Sequence, residues 1–270
     1  MAKLEYTTIE EVYSESKSKY TPVEMMIVAA SRLLEDGKTV FTGTGMPILA
    51  ALLSQNTRSP KLAIVYEAGG MGPQCPPTIP LSVGDSMTTH KAIMAASMDY
   101  TMSFIQAGYG EYAFLGAAQI DMYGNINTTV IGSHDTPKVR LPGSGGANDF
   151  GSLCWKTIII MKQDTRRFVE QLDFLTTPGY LTGPGAREKV GLPRNTGPWR
   201  VITQLGIYGF DTDKKMILLS THPTVPIDDI QKNSSFPIKI SEKTETTPEP
   251  TEQELRILRD LDLYQVVLRK

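Results

Sequence analysis

The stretch that decides the fold is residues 39–67, TVFTGTGMPILAALLSQNTRSPKLAIVYE. Its first four residues, Thr39–Thr42, have the β-branched and aromatic composition of a strand, and a glycine loop, GTGMP, follows them. The apolar run from Ile48 to about Ser54 predicts a helix, and Leu62–Tyr66 predicts a second strand that ends at Glu67. Strand, helix and strand in this order predict a βαβ unit with two parallel strands.

The rest of the chain extends this pattern in both directions. Thr21 and Glu24 can form a capping box that begins a helix through Met25–Glu35. Short apolar runs bounded by glycine or polar turns predict further strands at Ala113–Leu115, Thr157–Met161, Val201–Thr203 and Met216–Leu219. Such runs fit strands that are buried on both faces. We therefore predict an α/β protein with an open, mostly parallel sheet flanked by helices.

Composition divides the chain into three parts. Residues 1–20 are polar and mixed, which predicts an N-terminal extension, and residues 21–240 carry the α/β pattern. Residues 241–270 begin with a charged, proline-containing linker, SEKTETTPEPT, and end in a helix that Thr251 and Glu254 begin with a second capping box.

Charge and cysteine content exclude several classes of protein. The 270 residues contain 27 Lys and Arg against 29 Asp and Glu, a net charge of −2, which argues against a nucleic-acid partner. No apolar run approaches the roughly 18 residues of a membrane helix, and the first residues do not form a signal peptide. We expect a cytoplasmic protein. Cys75, Cys154 and three dispersed histidines predict neither a disulfide framework nor a metal site.

Glu67 occupies the position where α/β proteins place their chemistry, at the carboxyl end of a strand. One interpretation is a dinucleotide fold, because Gly43, Gly45 and Ile48 make a partial G-x-G-x-x-G with an acid further on. Ile48 in place of the third glycine weakens that interpretation. A second interpretation makes Glu67 a nucleophile whose oxyanion intermediates bind glycine-loop N–H groups. A solvated loop carboxylate is the third.

A second glycine loop, GSGGAN, covers residues 143–148 and follows two cations, Lys138 and Arg140. Its backbone N–H groups could approach an anion closely, as a phosphate cradle or an oxyanion site, and a flexible surface loop is the alternative. Upstream, Gln119 and Asn125 could orient a substrate or the nucleophile by hydrogen bonds. For Asn125, which follows a glycine, a tight turn is the favoured interpretation.

Taken together, these segments resemble the class I coenzyme A transferases, and most closely the β subunits of glutaconate CoA-transferases. The matching stretches are GTGMP, the strand that ends in Glu67, Gly116–Asn127, PKVRLPGSGGAN, Arg166–Phe168 with Thr177–Gly179, and GPGAREKVGLP. In order, they cover the chain from about Thr21 to the C-terminus. The resemblance implies the CoA-transferase fold, which is similar to that of the NagB-like proteins.

The resemblance also implies a mechanism and roles for the residues. Glu67 would attack an acyl-CoA thioester, and the reaction would pass through a glutamyl anhydride and a glutamyl-CoA thioester. Contacts to the oxyanion and the thioester would come from Gly45, Gly145, Gly146 and Ala147. Gln119 and Asn148 would orient the substrate or the nucleophile, and Lys138 and Arg140 would bind CoA. No tightly bound cofactor is implied, because coenzyme A is a substrate.

A partner is implied as well, a homologous α subunit that forms a heterodimer or a higher heteromer with this chain and contributes much of the acid-binding pocket. The substrates would be an acyl-CoA and a small carboxylic or dicarboxylic acid, and the isolated chain would be inactive.

Two other functions remain open. The segment at His222 and the C-terminal sequence also resemble β subunits of CoA-thioester hydrolases that cleave a C–C bond of a cyclic acyl-CoA. A non-catalytic dinucleotide-binding module is the other alternative.

Overall fold

A computed structural model of the chain describes residues 19–74, 76 and 78–269. The predicted N-terminal extension, except for its last two residues, lies outside the described residues, as does Cys75. In the described part of the chain, no helix is both long and apolar enough to cross a membrane.

Seven α-helices and fourteen short strands follow one another in the described part of the chain. The helices are α1 (Pro22–Ser31), α2 (Met46–Gln55), α3 (Met98–Phe104), α4 (Ala147–Leu153), α5 (Ala186–Lys189), α6 (Ile227–Lys232) and α7 (Glu252–Leu261). The strands are β1 (Thr39–Thr42), β2 (Ala63–Tyr66), β3 (Gly70–Met71), β4 (Met94–Ala95), β5 (Tyr112–Leu115), β6 (Gln119–Ile120), β7 (Ile126–Asn127), β8 (Val130–Gly132), β9 (Pro137–Arg140), β10 (Lys156–Ile160), β11 (Pro198–Ile202), β12 (Gly206–Phe210), β13 (Met216–Thr221) and β14 (Lys239–Thr246). Runs of consecutive strands occur at β2–β4, β5–β9 and β11–β13.

One ten-stranded sheet organises the fold, in the order β14-β13-β12-β11-β10-β5-β1-β2-β3-β4. Its centre is parallel, because β1 pairs in parallel with both β2 and β5, and β10 pairs in parallel with both β5 and β11. Antiparallel strands β3, β4 and β12 flank this centre. The prediction of an open, mostly parallel sheet flanked by helices is confirmed.

The central strands are buried on both faces. In β1, Val40 packs in the core cluster that contains α1 and α2, whereas Phe41 packs in the cluster on the opposite face with Phe150. The same alternation separates Ile64 from Val65 in β2. Because successive side chains of a strand point to opposite faces, a strand covered on both sides has to be apolar throughout.

Both predicted capping boxes are present, and each also takes part in an ion pair between helices. Glu24 caps α1 and accepts a hydrogen bond from Arg259 of α7 (Nε to Oε1, 2.7 Å). Glu254 caps α7 and pairs with Arg32, at the end of α1 (Nη2 to Oε2, 2.6 Å). Because both carboxylates are buried, the two pairs fix α7 against α1.

The predicted linker over Ser241–Thr251 is wrong in its first half, because β14 runs to Thr246 and pairs in parallel with β13. The boundary predicted at residue 240 falls inside this strand. As the last strand of the sheet, β14 is largely exposed to water on both faces. Charged side chains are therefore compatible with it, and they protect an edge from pairing with other chains. The sequence does not predict the hairpin strand β12 either.

Candidate active site

Glu67 directly follows β2, and the GTGMP loop directly follows β1. The two strands pair in parallel with Thr42 opposite Tyr66, so Gly43 and Glu67 lie side by side at one edge of the sheet. Glu67 is half-buried, and no described group donates a hydrogen bond to its carboxylate. Among the residues that the structure describes, the carboxylate at this strand end therefore has no partner that would occupy its oxygens.

The second glycine loop meets this carboxylate. A Cβ atom added to Gly146 would lie 3.1 Å from Cδ of Glu67, and one added to Gly145 would lie 3.7 Å from both carboxylate oxygens. Gly145 also has a φ of +47°, in the left-handed region. A side chain at position 146 would require its neighbours to move by a few tenths of an ångström, and one at position 145 would require a strained backbone.

Hydrogen bonds hold the second loop in this position. The Thr128 hydroxyl donates to the carbonyl of Gly143 (2.8 Å), and the N–H of Gly143 donates to the carbonyl of Thr128 (2.8 Å). On the other side, the N–H of Asn148 donates to the Ser144 hydroxyl (3.2 Å), and Gly146 precedes the first residue of α4. The loop is thus anchored at both ends, between β7 and α4.

Glycines 69 and 70, just after Glu67, have a different role. A Cβ on Gly69 would lie 1.9 Å from the carbonyl oxygen of Ala96, and one on Gly70 would lie 2.2 Å from that of Thr88. These two glycines therefore let the segment that contains Thr88 and Ala96 cross close to the backbone beside Glu67.

Glu67 lines a cavity of about 570 Å³ at the carboxyl ends of the parallel strands. Apolar side chains form much of its wall. Its lining residues are Gly43, Thr44, Met46, Pro47, Glu67, Phe114, Leu115, Gly116, Ala117, Ala118, Thr128, Leu141, Pro142, Gly143, Ser144, Ala147, Phe150, Ile160 and Arg167. The volume is in the range of small-molecule sites, and the apolar wall limits contact with water.

Other predicted site residues lie at or beyond the border of this cavity. Gly45 precedes the first residue of α2, between two lining residues, with a φ of +82°. The Asn148 amide donates to the carbonyl of Thr176 (3.0 Å). Lys138 and Arg140 are exposed on β9, which leads into the lining residue Leu141.

The structure does not bring Gln119 to the cavity. Its buried amide donates to Asp173 (2.9 Å) and accepts from Asn127 (2.8 Å), so both of its hydrogen bonds are made to other residues of the chain.

Asn125 forms the turn that its glycine neighbour predicts, because its amide donates to Asp121 (2.7 Å) and to the carbonyl of Leu181 (2.9 Å). Burial raises the pKa of Asp121 to about 6, although its hydrogen bonds in this turn lower it.

Sequence reasoning assigned no role to Arg167, Thr128 or Ser144, all of which line the cavity. Arg167 lies seven residues beyond β10, and only the tertiary structure shows that this loop returns to the strand ends. Among the described residues, no group of three or more His, Cys, Asp or Glu side chains could hold a metal ion.

Comparison with known proteins defines the class. Residues 23–233 match the protein-family model described as coenzyme A transferase. The chain belongs to this family.

Similar proteins within the family include two transferase subunits. The chain is 40% identical to the β subunit of 3-oxoadipate CoA-transferase from Pseudomonas knackmussii, over 91% of this chain and 94% of that protein. It is 36% identical to the β subunit of glutaconate CoA-transferase from Acidaminococcus fermentans, over 86% of this chain and 90% of that protein. The crystal structure of the Acidaminococcus fermentans transferase superposes with a TM-score of 0.88, covering 94% of this chain and 99% of that chain at 34% identity. More distantly, the chain is 25% identical to the cholesterol ring-cleaving hydrolase IpdB subunit of Rhodococcus jostii, over 92% of this chain and 94% of that protein.

Proposed function

We propose that this chain is the β subunit of a heteromeric CoA-transferase that moves coenzyme A between an acyl-CoA and a small dicarboxylic acid. The observation that carries the proposal is the unpartnered Glu67 carboxylate, which two glycine loops enclose at the wall of a largely apolar cavity. The names of the two transferase relatives, each of which contains the name of a dicarboxylic acid, support the substrate class.

In the first half of the reaction, a Glu67 oxygen attacks the thioester carbonyl of the acyl-CoA. An acyl-glutamyl anhydride forms and CoA thiolate leaves. The thiolate then attacks the glutamyl carbonyl, which releases the first acid as a carboxylate and leaves a thioester between Glu67 and CoA. The acceptor carboxylate repeats both steps in reverse order, so the products are the new acyl-CoA and free Glu67. The covalent route divides one difficult exchange between a carboxylate and a thiolate into easier steps.

The enclosing loops supply what these steps need. The oxyanion forms on the acyl carbonyl oxygen in the first attack and on a Glu67 oxygen in the second. The backbone of Gly145 and Gly146 lies beside the Glu67 carboxylate, where their N–H groups could donate hydrogen bonds, whereas the N–H of Ala147 already donates to the carbonyl of Ser144 (2.9 Å). Apolar walls formed by Met46, Phe114 and others limit the water that would hydrolyse an anhydride.

A homologous α subunit is part of the proposal. Large apolar side chains are exposed on the segment that crosses Gly69 and Gly70 and at the start of the helix that follows it, among them Ile93 (82% exposed), which lies against Gly72, and Met98 (53% exposed). An exposed apolar surface beside a site is typical of an interface between subunits. Both transferase relatives are themselves named as one subunit of an enzyme, which supports an assembly of unlike chains. We expect the chain to be inactive when it is purified without its partner.

The direct test is covalent trapping. The complex is incubated with acetyl-CoA, treated with borohydride or hydroxylamine, digested and examined by mass spectrometry. We expect modification at Glu67, dependent on acetyl-CoA and absent in Glu67→Gln, with normal activity in the control Glu242→Gln on the exposed strand β14. Trapping at another residue, or full activity of Glu67→Ala, would show that the mechanism is wrong. Turnover without any acceptor acid would indicate hydrolysis instead.

A further inference from the structure

The cavity beside Glu67 contains one positive charge. Of its described lining residues, Glu67 and Arg167 are the only two with ionisable side chains. A carboxylic acid that approaches Glu67 brings a second negative charge, and a dicarboxylic acid brings a third. A cation in the wall would offset both the repulsion and the cost of taking a carboxylate out of water.

Arg167 is held in place on one side only. Its Nε donates to Asp164 (Nε to Oδ2, 3.0 Å), which fixes one edge of the guanidinium. Neither Nη atom has a hydrogen-bond partner among the described residues. The guanidinium therefore keeps a pair of donors whose spacing matches a carboxylate.

The backbone of Arg167 is also fixed. Its carbonyl accepts a hydrogen bond from the N–H of Ile120 (2.7 Å), and its own N–H donates to the carbonyl of Asp164 (3.0 Å). The next residue, Phe168, is fully buried and stacks on Phe236. This anchoring means that the cation is prepared before a substrate binds, which reduces the entropy lost on binding.

Strand order gives the separation of the two strands that lead to these residues. Glu67 directly follows β2 and Arg167 lies in the loop after β10, and the order β10-β5-β1-β2 separates these strands by three steps, about 14 Å. The loop after β10 brings Arg167 back to the cavity that Glu67 also lines. A dicarboxylic acid in this cavity can therefore present one carboxylate to Glu67 and the other to Arg167.

We propose that Arg167 is the residue of this chain that binds the distal carboxylate of the dicarboxylic acid, and that it determines the preference for two carboxylates over one. The proposal rests on the proposed transferase function. On this proposal the β chain itself binds the distal carboxylate, independently of the contacts that the α subunit makes with the acid.

The test compares matched pairs of acceptor acids in the assembled complex. With acetyl-CoA as donor, kcat/KM is measured for succinate, glutarate and adipate and for butyrate, pentanoate and hexanoate. The variants are Arg167→Ala, Arg167→Lys and the control Arg166→Ala. Arg166 is adjacent, its side chain is 88% exposed, and it does not line the cavity.

We expect Arg167→Ala to lower kcat/KM for the preferred dicarboxylic acid by about 30- to 1,000-fold, mainly through KM, because the distal carboxylate loses a charged partner. The values for the monocarboxylic acids should stay unchanged, which also shows that the variant folds. Arg167→Lys should be intermediate, since it keeps the charge and loses the paired donors. Arg166→Ala should behave like the wild type.

An equal loss for both kinds of acid, or an unchanged preference, would overturn the assignment of Arg167. So would a wild-type complex that does not prefer dicarboxylic acids. A wild-type complex that transfers CoA to no acid at all would contradict the proposed function itself, and the assignment would fall with it.

Discussion

Gly146 faces the carboxyl group of Glu67 so closely that a Cβ atom at position 146 would lie 3.1 Å from Cδ of Glu67. Residues from two distant parts of the chain thus meet so closely that a side chain at position 146 would require its neighbours to move. The same Cβ would lie 2.9 Å from Cε of Met102 and 3.1 Å from Cζ of Phe150. The position of the carboxylate therefore depends on the absence of a methyl group at residue 146.

Gly146→Ala should reduce transfer more than it reduces stability. The new methyl group would displace Glu67 or Met102 by a few tenths of an ångström, and since a misplacement of about 1 Å costs about 100-fold in rate, we expect a loss of roughly threefold to tenfold. Steady-state kinetics of the complex and thermal unfolding measure the two effects. The control is Gly116→Ala, in the same cavity, where an added Cβ meets nothing within 4 Å and activity should be largely kept. Equal rates for the two variants would contradict this account.

Lys138 and Arg140 remain predicted contacts for the phosphates of CoA. Both are exposed on β9, so we expect each alanine variant to raise KM for acetyl-CoA by roughly fivefold, as for a single exposed ion pair, with kcat unchanged. The effect should shrink at high salt. Lys243→Ala, on the exposed strand β14, is the control. A change in kcat without a change in KM would argue against phosphate binding.

Arg259→Ala should destabilise the fold by loosening α7. Its guanidinium contacts Glu24, whose side chain is completely buried, and the loss of a partner to a buried charge costs about 2–3 kcal/mol for a partly exposed pair. Equilibrium urea unfolding measures this loss. Arg256→Ala, one turn away and exposed, should change the free energy of unfolding by less than about 0.5 kcal/mol. Similar losses in both variants would show that the Glu24 pair does not hold the helix.

Acid should weaken the fold through His222. Burial lowers the pKa of this histidine to about 4, while its hydrogen bond to the carbonyl of Thr203 raises it slightly. The unfolded chain, with an ordinary pKa of 6.5, therefore takes up the proton first. The stabilisation is fully present above pH 6.5 and is lost as the pH falls towards 4, with a total on the order of 3 kcal/mol.

The free energy of unfolding as a function of pH tests this account. His222→Gln should remove the contribution of this histidine between these limits and leave the opposite contribution of Asp121, whose pKa burial raises to about 6, and the exposed control His134→Gln should keep both. An NMR titration that places the pKa of His222 at its ordinary value would contradict the expectation.

Much of the central sheet could be predicted because its information is local. The apolar runs at β1, β2, β5, β10 and β13 mark strands that need cover on both faces, and the Thr21 and Thr251 capping boxes mark two helix starts. The edge strand β14 could not be recognised, because a strand exposed on both faces has the charged composition of a linker. The residues of β14 do not by themselves indicate that the segment pairs with β13, because that pairing depends on the rest of the sheet.

The candidate site divides in the same way. Glu67 could be proposed from sequence, since a carboxylate directly after a buried strand stands where parallel strands end. The glycine pair at 145 and 146 could be proposed as close-approach backbone, and the structure shows that what it approaches is Glu67. Gln119 looked equally suitable, yet hydrogen bonds with the exposed Asp173 and the buried Asn127 use its amide. Arg167 carried no local signal, because its place in the cavity depends on how the loop after β10 returns to the strand ends.

The sequence by itself determined the central strands and the helices between them, the parallel centre of the sheet and the strand-end carboxylate, because burial and capping act over neighbouring residues. The tertiary structure alone decided which side chains share one cavity, that Glu67 faces Gly146 and that Arg167 lies in the same wall. Residues separated by about 80 to 100 positions meet only when strands β2, β1, β5 and β10 pair side by side, and pairing energies between distant segments cannot be read from either segment alone.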